Sequence, residues 1–142
     1  MSENEKSLKK QRCHQHLIRE WAEAEDKLSG LIQAQRSYII ELHDIDSMDG
    51  SQRTELTLKI LQAIAHELAE LREWLPWKYW KKYSKHFNYE IDEIRFEIAD
   101  IVCFVLDLAL IWGMNEQDIH DYTMSKISLN MKRQNDSEYG YV

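Results

Sequence analysis

Apolar residues recur at intervals of three and four through most of this chain, which is the period of a helix that buries one face. Glycine occurs four times and proline once, so few breaks are available. Strand-like alternation and hairpin signals are absent from the sequence. The pattern predicts an all-α protein, a helical bundle of four to five main helices.

The few helix-breaking and helix-capping residues divide the chain. A first helix is expected over about residues 14–43, followed by the loop DIDSMDGSQ, in which Ser51 or a polar neighbour caps the next helix. The second runs over about 52–74 and stops before Pro76. The third covers about 90–112 and ends at Gly113, and Asn115 caps a fourth over about 116–133. Residues 1–12 are expected to be a flexible segment and 13–142 a single domain.

Each of the first two helices has an apolar stripe that predicts its buried face. In the second helix the stripe consists of Leu61, Ile64, Leu68, Leu71 and Leu75. In the first it consists of Leu17, Trp21, Ala24, Leu28, Leu31, Tyr38 and Leu42. Gln35 occupies a position in this first stripe, and a polar amide there needs a partner, which is either another side chain or a ligand.

Two pairs of carboxylates lie at helical spacing. Glu67 and Glu70 are three positions apart on the second helix, and Glu97 and Asp100 are three apart on the third. Each pair therefore lies on one face, one turn apart. If the two helices pack together, four acids meet, and they repel one another unless a cation lies between them. An all-oxygen site of this kind suits Mg²⁺ or Mn²⁺.

The alternative for these acids is that they are solvated, because an ExxE pair on a helix commonly lies on a solvent-facing surface. Asp100 argues against that alternative, since it lies within the apolar run IADIVCFVLDLALIW, where an unpaired carboxylate is costly. Glu93 is a possible further ligand. Asp107, on the same helical line, is either functional or a buried hydrogen-bonded or interface acid.

The overall charge of −7, from 25 acidic and 18 basic residues, argues against binding nucleic acid through a basic surface. The two cysteines predict neither a disulfide framework nor a zinc site. The N-terminus lacks the apolar segment of a signal peptide, and the longest apolar run is too short to span a membrane. We therefore expect a cytoplasmic protein that does not associate with membranes.

Two segments could hold a phosphate chain. WKYWKKYSKHFNY, residues 77–89, places Lys78, Lys81, Lys82 and Lys85 among aromatic rings that could stack on a base. A short amphipathic helix with solvated lysines is the alternative, and single-strand nucleic-acid binding is a weaker one. On the fourth helix Lys126, Asn130 and Arg133 or Gln134 share a face, although a solvated surface explains their spacing equally well.

Four motifs in order carry a family resemblance: ELAEL, WKYWKK, EIRFEIADIVCFVLDLAL and K-x-x-x-N-x-x-R-Q. Over about residues 30–141 the chain resembles the dimeric, all-α dUTPases of the MazG-like nucleotide pyrophosphohydrolase superfamily. The family's ExxE and ExxD motifs are separated here by 97 − 70 = 27 positions between Glu70 and Glu97, in keeping with that group.

The resemblance implies a fold, a reaction and a set of roles. It implies a dimer that hydrolyses dUTP, and also dUDP, to dUMP, with Mg²⁺ held by Glu67, Glu70, Glu97 and Asp100. Glu67 or Glu70 would orient or deprotonate the attacking water. The implied substrate-binding residues are Gln35 and Trp80 at the base, Lys78 or Lys81, Lys126 and Arg133 at phosphates, Asn130 at the sugar or phosphates, and Tyr141 closing over the nucleotide.

Two other functions remain open from the sequence. The chain could be a pyrophosphohydrolase for another nucleotide, such as dCTP or a modified NTP. It could also be a non-catalytic helical binding protein that keeps the fold. Apolar helix faces that four helices of one chain do not cover support a homodimer in either case.

Overall fold

The computed structural model describes residues 26–136, which form four α-helices. Helix α1 is Lys27–Leu42, α2 is Gly50–Glu73, α3 is Ile91–Ile111 and α4 is Glu116–Asp136. A short 3-10 helix, Ile45–Ser47, connects α1 to α2. The described part of the chain contains no strand, which confirms the all-α prediction. The predicted flexible segment 1–12 lies outside the described residues.

The capping residues set the helix bounds. Asp49 and Gln52 form a capping box at the start of α2, with Asp49 Oδ1 accepting from the Gln52 N–H at 2.8 Å. Asn115 and Asp118 exchange the equivalent bonds at the start of α4. Gly113 follows α3 with a φ of 75°, the left-handed conformation that glycine adopts without strain. The predicted ends of α2, α3 and α4 are confirmed to within three residues.

The first helix differs from its prediction. Asp26 has an extended backbone, with φ −86° and ψ 97°, and its carboxylate accepts from the Ser29 N–H. This cap begins α1 at Lys27, so the predicted continuous helix from residue 14 is wrong at Asp26. The aspartate side chain hydrogen-bonds to nearby backbone N–H groups, so aspartate is favoured at the start of a helix and disfavoured in its interior.

The hydrophobic core contains residues of α1, α2 and α3. It lies at one end of the antiparallel pair that α2 and α3 form. Helices α2 and α3 pack side by side, with Leu56 and Ile60 in the same core as Leu106 and Leu110. The full buried set is Ile32, Ile39, Ile45, Leu56, Ile60, Leu106, Leu110 and Ile111. Arg53 closes this end by donating to the carbonyls of Ile45, Met48 and Ile111.

The buried stripes are not the predicted ones. In α1, Ile32 and Ile39 are buried, whereas Leu28, Leu31, Tyr38 and Leu42 are exposed. Of the stripe predicted for α2, Ile64 packs against the core, whereas Leu61 and Leu68 are exposed, as is Leu75 beyond the end of the helix. Leu17, Trp21 and Ala24 lie outside the described residues. Both helices carry two apolar stripes, and residues 26–136 cover only one stripe on each helix.

Candidate functional site

The carboxylates lie at the far end of the α2–α3 pair from the core. Because the two helices run antiparallel, the last turns of α2 face the first turns of α3. Single carboxylate oxygens of Glu67, Glu70 and Glu97 lie within 4.8 Å of one another. The structure thus brings together three of the four predicted acids.

Asp100 lies beside this cluster but outside it. Its charge acts on Glu67, so the two carboxylates are neighbours. Asp100 is nonetheless exposed, so among the described residues the apolar run around it does not bury it. The physical reason is that α3 packs on α2 through a single face. Ile98, Val102 and Val105, the apolar neighbours of Asp100, are themselves exposed.

Glu67 is the central acid of the cluster. Partial burial, followed by the charges of Glu70, Asp100 and Glu97, raises the pKa of the Glu67 carboxyl above its ordinary value. Glu67 makes no hydrogen bond among the described residues, which leaves both of its oxygens for a cation or a water molecule.

The other two clustered acids each have a polar partner. The indole Nε1–H of Trp74 donates to Glu97 Oε1 at 3.2 Å, across the α2–α3 interface. His66 Nε2 lies 3.0 Å from Glu70 Oε1 on the same face of α2. Both partners lie four residues from Glu70, on either side of it. Sequence reasoning assigned a role to neither, although this i, i+4 spacing was visible.

The connection 77–89 is irregular, and the alternative of a short amphipathic helix is wrong. Trp80 is 64% exposed and packs edge-on against Trp77 and Tyr79, with ring centroids 5.6 and 4.9 Å apart. Lys78 and Lys81 lie near the Trp77 and Tyr83 rings respectively. Neither lysine forms an ion pair with the carboxylate cluster among the described residues.

The polar residues of α4 remain apart from the carboxylates. Every described side chain from His120 to Asn135 is exposed, because α4 leaves the core after Ile119. Lys126, Asn130 and Arg133 therefore make no hydrogen bond or ion pair within the described residues. Tyr141 lies outside the described residues.

Gln35 has a side-chain partner. Its Nε2 donates to Asp107 Oδ1 at 2.7 Å, and Asp107 is 7% exposed, the one buried charged residue in the described part of the chain. Burial raises the pKa of the Asp107 carboxyl, and the bond from Gln35 and the charge of His43 partly oppose this rise. Asp107 is therefore a buried, hydrogen-bonded acid.

We expect Asp107→Asn to change stability in a pH-dependent way. An acid whose pKa is raised by folding stabilises the fold below its ordinary pKa, and this contribution is lost as pH rises towards the folded pKa. The melting temperature of the variant, relative to wild type, should therefore increase between pH 3.5 and 7. Melting curves of both proteins across this range test it, and a constant difference would contradict it.

A family model for dUTPase matches residues 27–111, more than half of the 142-residue chain. The matched segment contains α1, α2, α3 and the carboxylate cluster. The chain therefore belongs to the dimeric, all-α dUTPase family, as its motifs indicated. No curated protein and no solved structure gives a significant match. No helix among the described residues is long and apolar enough to cross a membrane.

Proposed function

We propose that this protein hydrolyses dUTP to dUMP and pyrophosphate, and dUDP to dUMP and phosphate, in a reaction that depends on Mg²⁺. The observation that carries the proposal is the cluster of Glu67, Glu70 and Glu97 within a segment that matches the dUTPase family. A cytoplasmic location remains a prediction, as does the absence of nucleic-acid binding.

The clustered oxygens fit a Mg²⁺ site. Oxygens that share one Mg²⁺ lie roughly 3 Å apart when adjacent and about 4 Å apart when opposite, given bonds of about 2.1 Å. Oxygens within 4.8 Å of one another need only small side-chain movements to reach these distances. Mn²⁺ prefers the same ligands and should substitute. When bound, the cation neutralises phosphate charge and lowers the pKa of the attacking water.

The protein's own groups then divide the remaining work. Trp74 holds one oxygen of Glu97, and His66 contacts one oxygen of Glu70. Glu67 is free of such partners and has a raised pKa, which suits a base that receives a proton. As water forms a bond to phosphorus and the bridging P–O bond breaks, Glu67 takes the proton and pyrophosphate leaves.

The residues that bind the substrate are also part of this proposal. Trp80 and the neighbouring lysines Lys78 and Lys81 lie on the connection at the carboxylate end of the α2–α3 pair, where a nucleotide bound there would meet them. Lys126, Asn130 and Arg133 require α4 to dock before they can contact a phosphate chain.

We also propose that the functional unit is a homodimer. The α3 stripe Ile98, Val102 and Val105 is 42–50% exposed, and the α4 stripe Met124, Ile127 and Met131 is 46–62% exposed. Continuous apolar stripes on two adjacent helices are typical of an interface. A second copy covers both stripes and gives α4 a surface on which to dock.

We expect Trp74→Phe to weaken cation binding by about tenfold, because it keeps the ring but removes the N–H that orients Glu97. Titration with Mn²⁺, followed by calorimetry, measures this. The matched control is Trp112→Phe, which removes an N–H bonded to Thr57 at the other end of the helix pair. Equal cation affinity in both variants would contradict the role of Trp74.

The proposed reaction is tested by mixing the purified chain with dUTP and Mg²⁺ and separating the products. Formation of dUMP and pyrophosphate, abolished by a chelator and restored by Mg²⁺, is expected. Release of single phosphates from dUTP would contradict it.

A further inference from the structure

We propose that Gln33 is a positioning residue for substrate binding: through its bond to Glu116 it fixes the direction in which α4 leaves the core. This inference rests on the proposed nucleotide hydrolase function, in which Lys126 and Arg133 of α4 contact the phosphate chain. The bond lies at the junction of α3 with α4, at the opposite end of α3 from the carboxylate cluster.

Helix α4 is anchored near its beginning. Ile119 packs against the core, and every described side chain beyond it is exposed. Among residues 26–136, the bond that Gln33 Nε2 donates to Glu116 Oε1 is the one side-chain hydrogen bond between α4 and another helix. Ile119 and Glu116 therefore anchor a helix of 21 residues.

Packing alone does not fix α4 at this junction. A cavity of about 330 Å³ adjoins Gln33 and Glu116, and its walls include Arg36 of α1, Leu110 at the end of α3 and Met114. Close packing resists movement, whereas side chains beside a void lack contacts on that side. The directional hydrogen bond from Gln33 therefore supplies a restraint that packing does not.

The connection between α3 and α4 also leaves their angle open. Gly113 N–H and Met114 N–H donate to carbonyls of α3, at 3.1 and 2.9 Å, and close the end of that helix. Asn115 and Asp118 cap the start of α4. Each of these bonds lies within the end of one helix. Rotation of the backbone between Met114 and Asn115 therefore changes the angle between the two helices without breaking them.

A small change in this angle moves the phosphate-binding side chains far. Lys126 and Arg133 follow Glu116 by 10 and 17 residues. At 1.5 Å per residue they lie about 15 and 26 Å from it along the helix axis, so a tilt of about 20° displaces them by roughly 5 and 9 Å. A hydrogen bond is lost when donor and acceptor separate by about 1 Å more than usual. The bond at Glu116 thus decides whether these side chains reach a phosphate chain.

Four variants test the bond itself. Gln33→Met removes it without adding charge. Gln33→Glu places a second carboxylate against Glu116, and the repulsion should push α4 away from α1. Adding Glu116→Gln to Gln33→Glu restores one donor and one acceptor in exchanged positions. Arg36→Met is the matched control, because Arg36 lines the same cavity but pairs with Asp46 rather than with α4.

The direction of α4 is measured without any nucleotide. Both native cysteines are replaced by serine, and spin labels are attached at Gln62→Cys on α2 and Ser128→Cys on α4, two exposed positions. Dilution with unlabelled protein restricts pulsed EPR to the distance within one chain. This distance should be roughly twice as broadly distributed in Gln33→Met and Gln33→Glu as in wild type, because the labelled helix acts as a lever. The exchanged pair and Arg36→Met should keep the narrow distribution.

The consequence for the substrate is measured as binding, with a non-hydrolysable α,β-imido analogue of dUTP and Mg²⁺ in a calorimeter. Gln33→Met should raise the dissociation constant about tenfold, and Arg36→Met should leave it unchanged. In a background with Lys126→Ala and Arg133→Ala, Gln33→Met should change the constant less than about twofold, because the contacts that it displaces are already gone. Melting curves identify any variant that fails to fold.

Four results would overturn the proposal: an unchanged distance distribution in folded Gln33→Met, no recovery in the exchanged pair, a dissociation constant unaffected by Gln33→Met, or no binding of the analogue by wild type. Broadened distances and weakened analogue binding, without any hydrolysis of dUTP, would instead remove the proposed reaction and keep this inference. Hydrolysis of dUTP with the same KM in wild type and Gln33→Met would do the reverse.

Discussion

Glu67→Gln should lower kcat/KM for dUTP by about 10³-fold while leaving the fold intact. Glutamine keeps the size of the side chain but can neither take a proton nor supply charge to a cation, and loss of a general base alone typically costs 10²- to 10⁴-fold. Steady-state kinetics at saturating Mg²⁺ measure the loss. The matched control is Glu55→Gln on the same helix, where an exposed glutamate pairs with Lys59 and turnover should be unchanged.

Stability should change in the opposite direction. Partial burial, followed by neighbouring charges, raises the pKa of Glu67, so the ionised side chain destabilises the metal-free fold once pH exceeds the ordinary glutamate value. At pH 8 without metal, Glu67→Gln should therefore melt at or above the wild-type temperature. Added Mg²⁺ should then raise the wild-type melting temperature more than that of the variant. A variant that is inactive and also markedly less stable would mean that Glu67 is structural.

Val105→Asp should convert the proposed dimer into monomers. Val105 is half exposed in one chain and belongs to the apolar stripe of α3. In a symmetric dimer each substitution occurs twice, so two carboxylates are buried at one interface. The dissociation constant of the dimer should rise at least 100-fold. The mass measured by light scattering should fall from twice 17.1 kDa to 17.1 kDa.

The control for this substitution is Ser51→Asp, which adds the same charge to an exposed polar position in the first turn of α2. It should leave the mass unchanged, because an acid there also suits the helix N-terminus. A wild-type chain that is already monomeric at micromolar concentration would contradict the dimer, as would a Val105→Asp variant that remains a dimer.

The sequence predicted where the helices begin and end better than it predicted which face of each helix is buried. Gly113, Asn115 and Pro76 locate helix ends by local chemistry, which acts within a few residues and needs no knowledge of the fold. The buried face of α2 depends on which of its two apolar stripes α3 contacts, and that is a tertiary choice. Leu61 and Leu68 were therefore expected inside but are exposed, whereas Ile60 is buried.

The candidate site shows the same division. The i, i+3 spacing of Glu67 and Glu70 placed both on one face, and the antiparallel pairing of α2 with α3 then brought Glu97 to them. Contacts across elements were beyond the sequence. Trp74 with Glu97, and Gln35 with Asp107, are separated by 23 and 72 residues, and only the packing of the helices joins them.

The most direct measurement compares nucleotides under one condition. Purified protein is incubated with Mg²⁺ and, separately, with dUTP, dUDP, dCTP, dTTP, UTP and a modified dNTP, and the products are resolved by anion exchange. The account predicts conversion of dUTP and dUDP to dUMP, sparing of the others, and loss of this activity in Glu67→Gln. Turnover of dCTP or the modified nucleotide in place of dUTP would keep the carboxylate chemistry but contradict the assigned substrate. No turnover with either Mg²⁺ or Mn²⁺ would contradict the enzyme itself and indicate a binding protein.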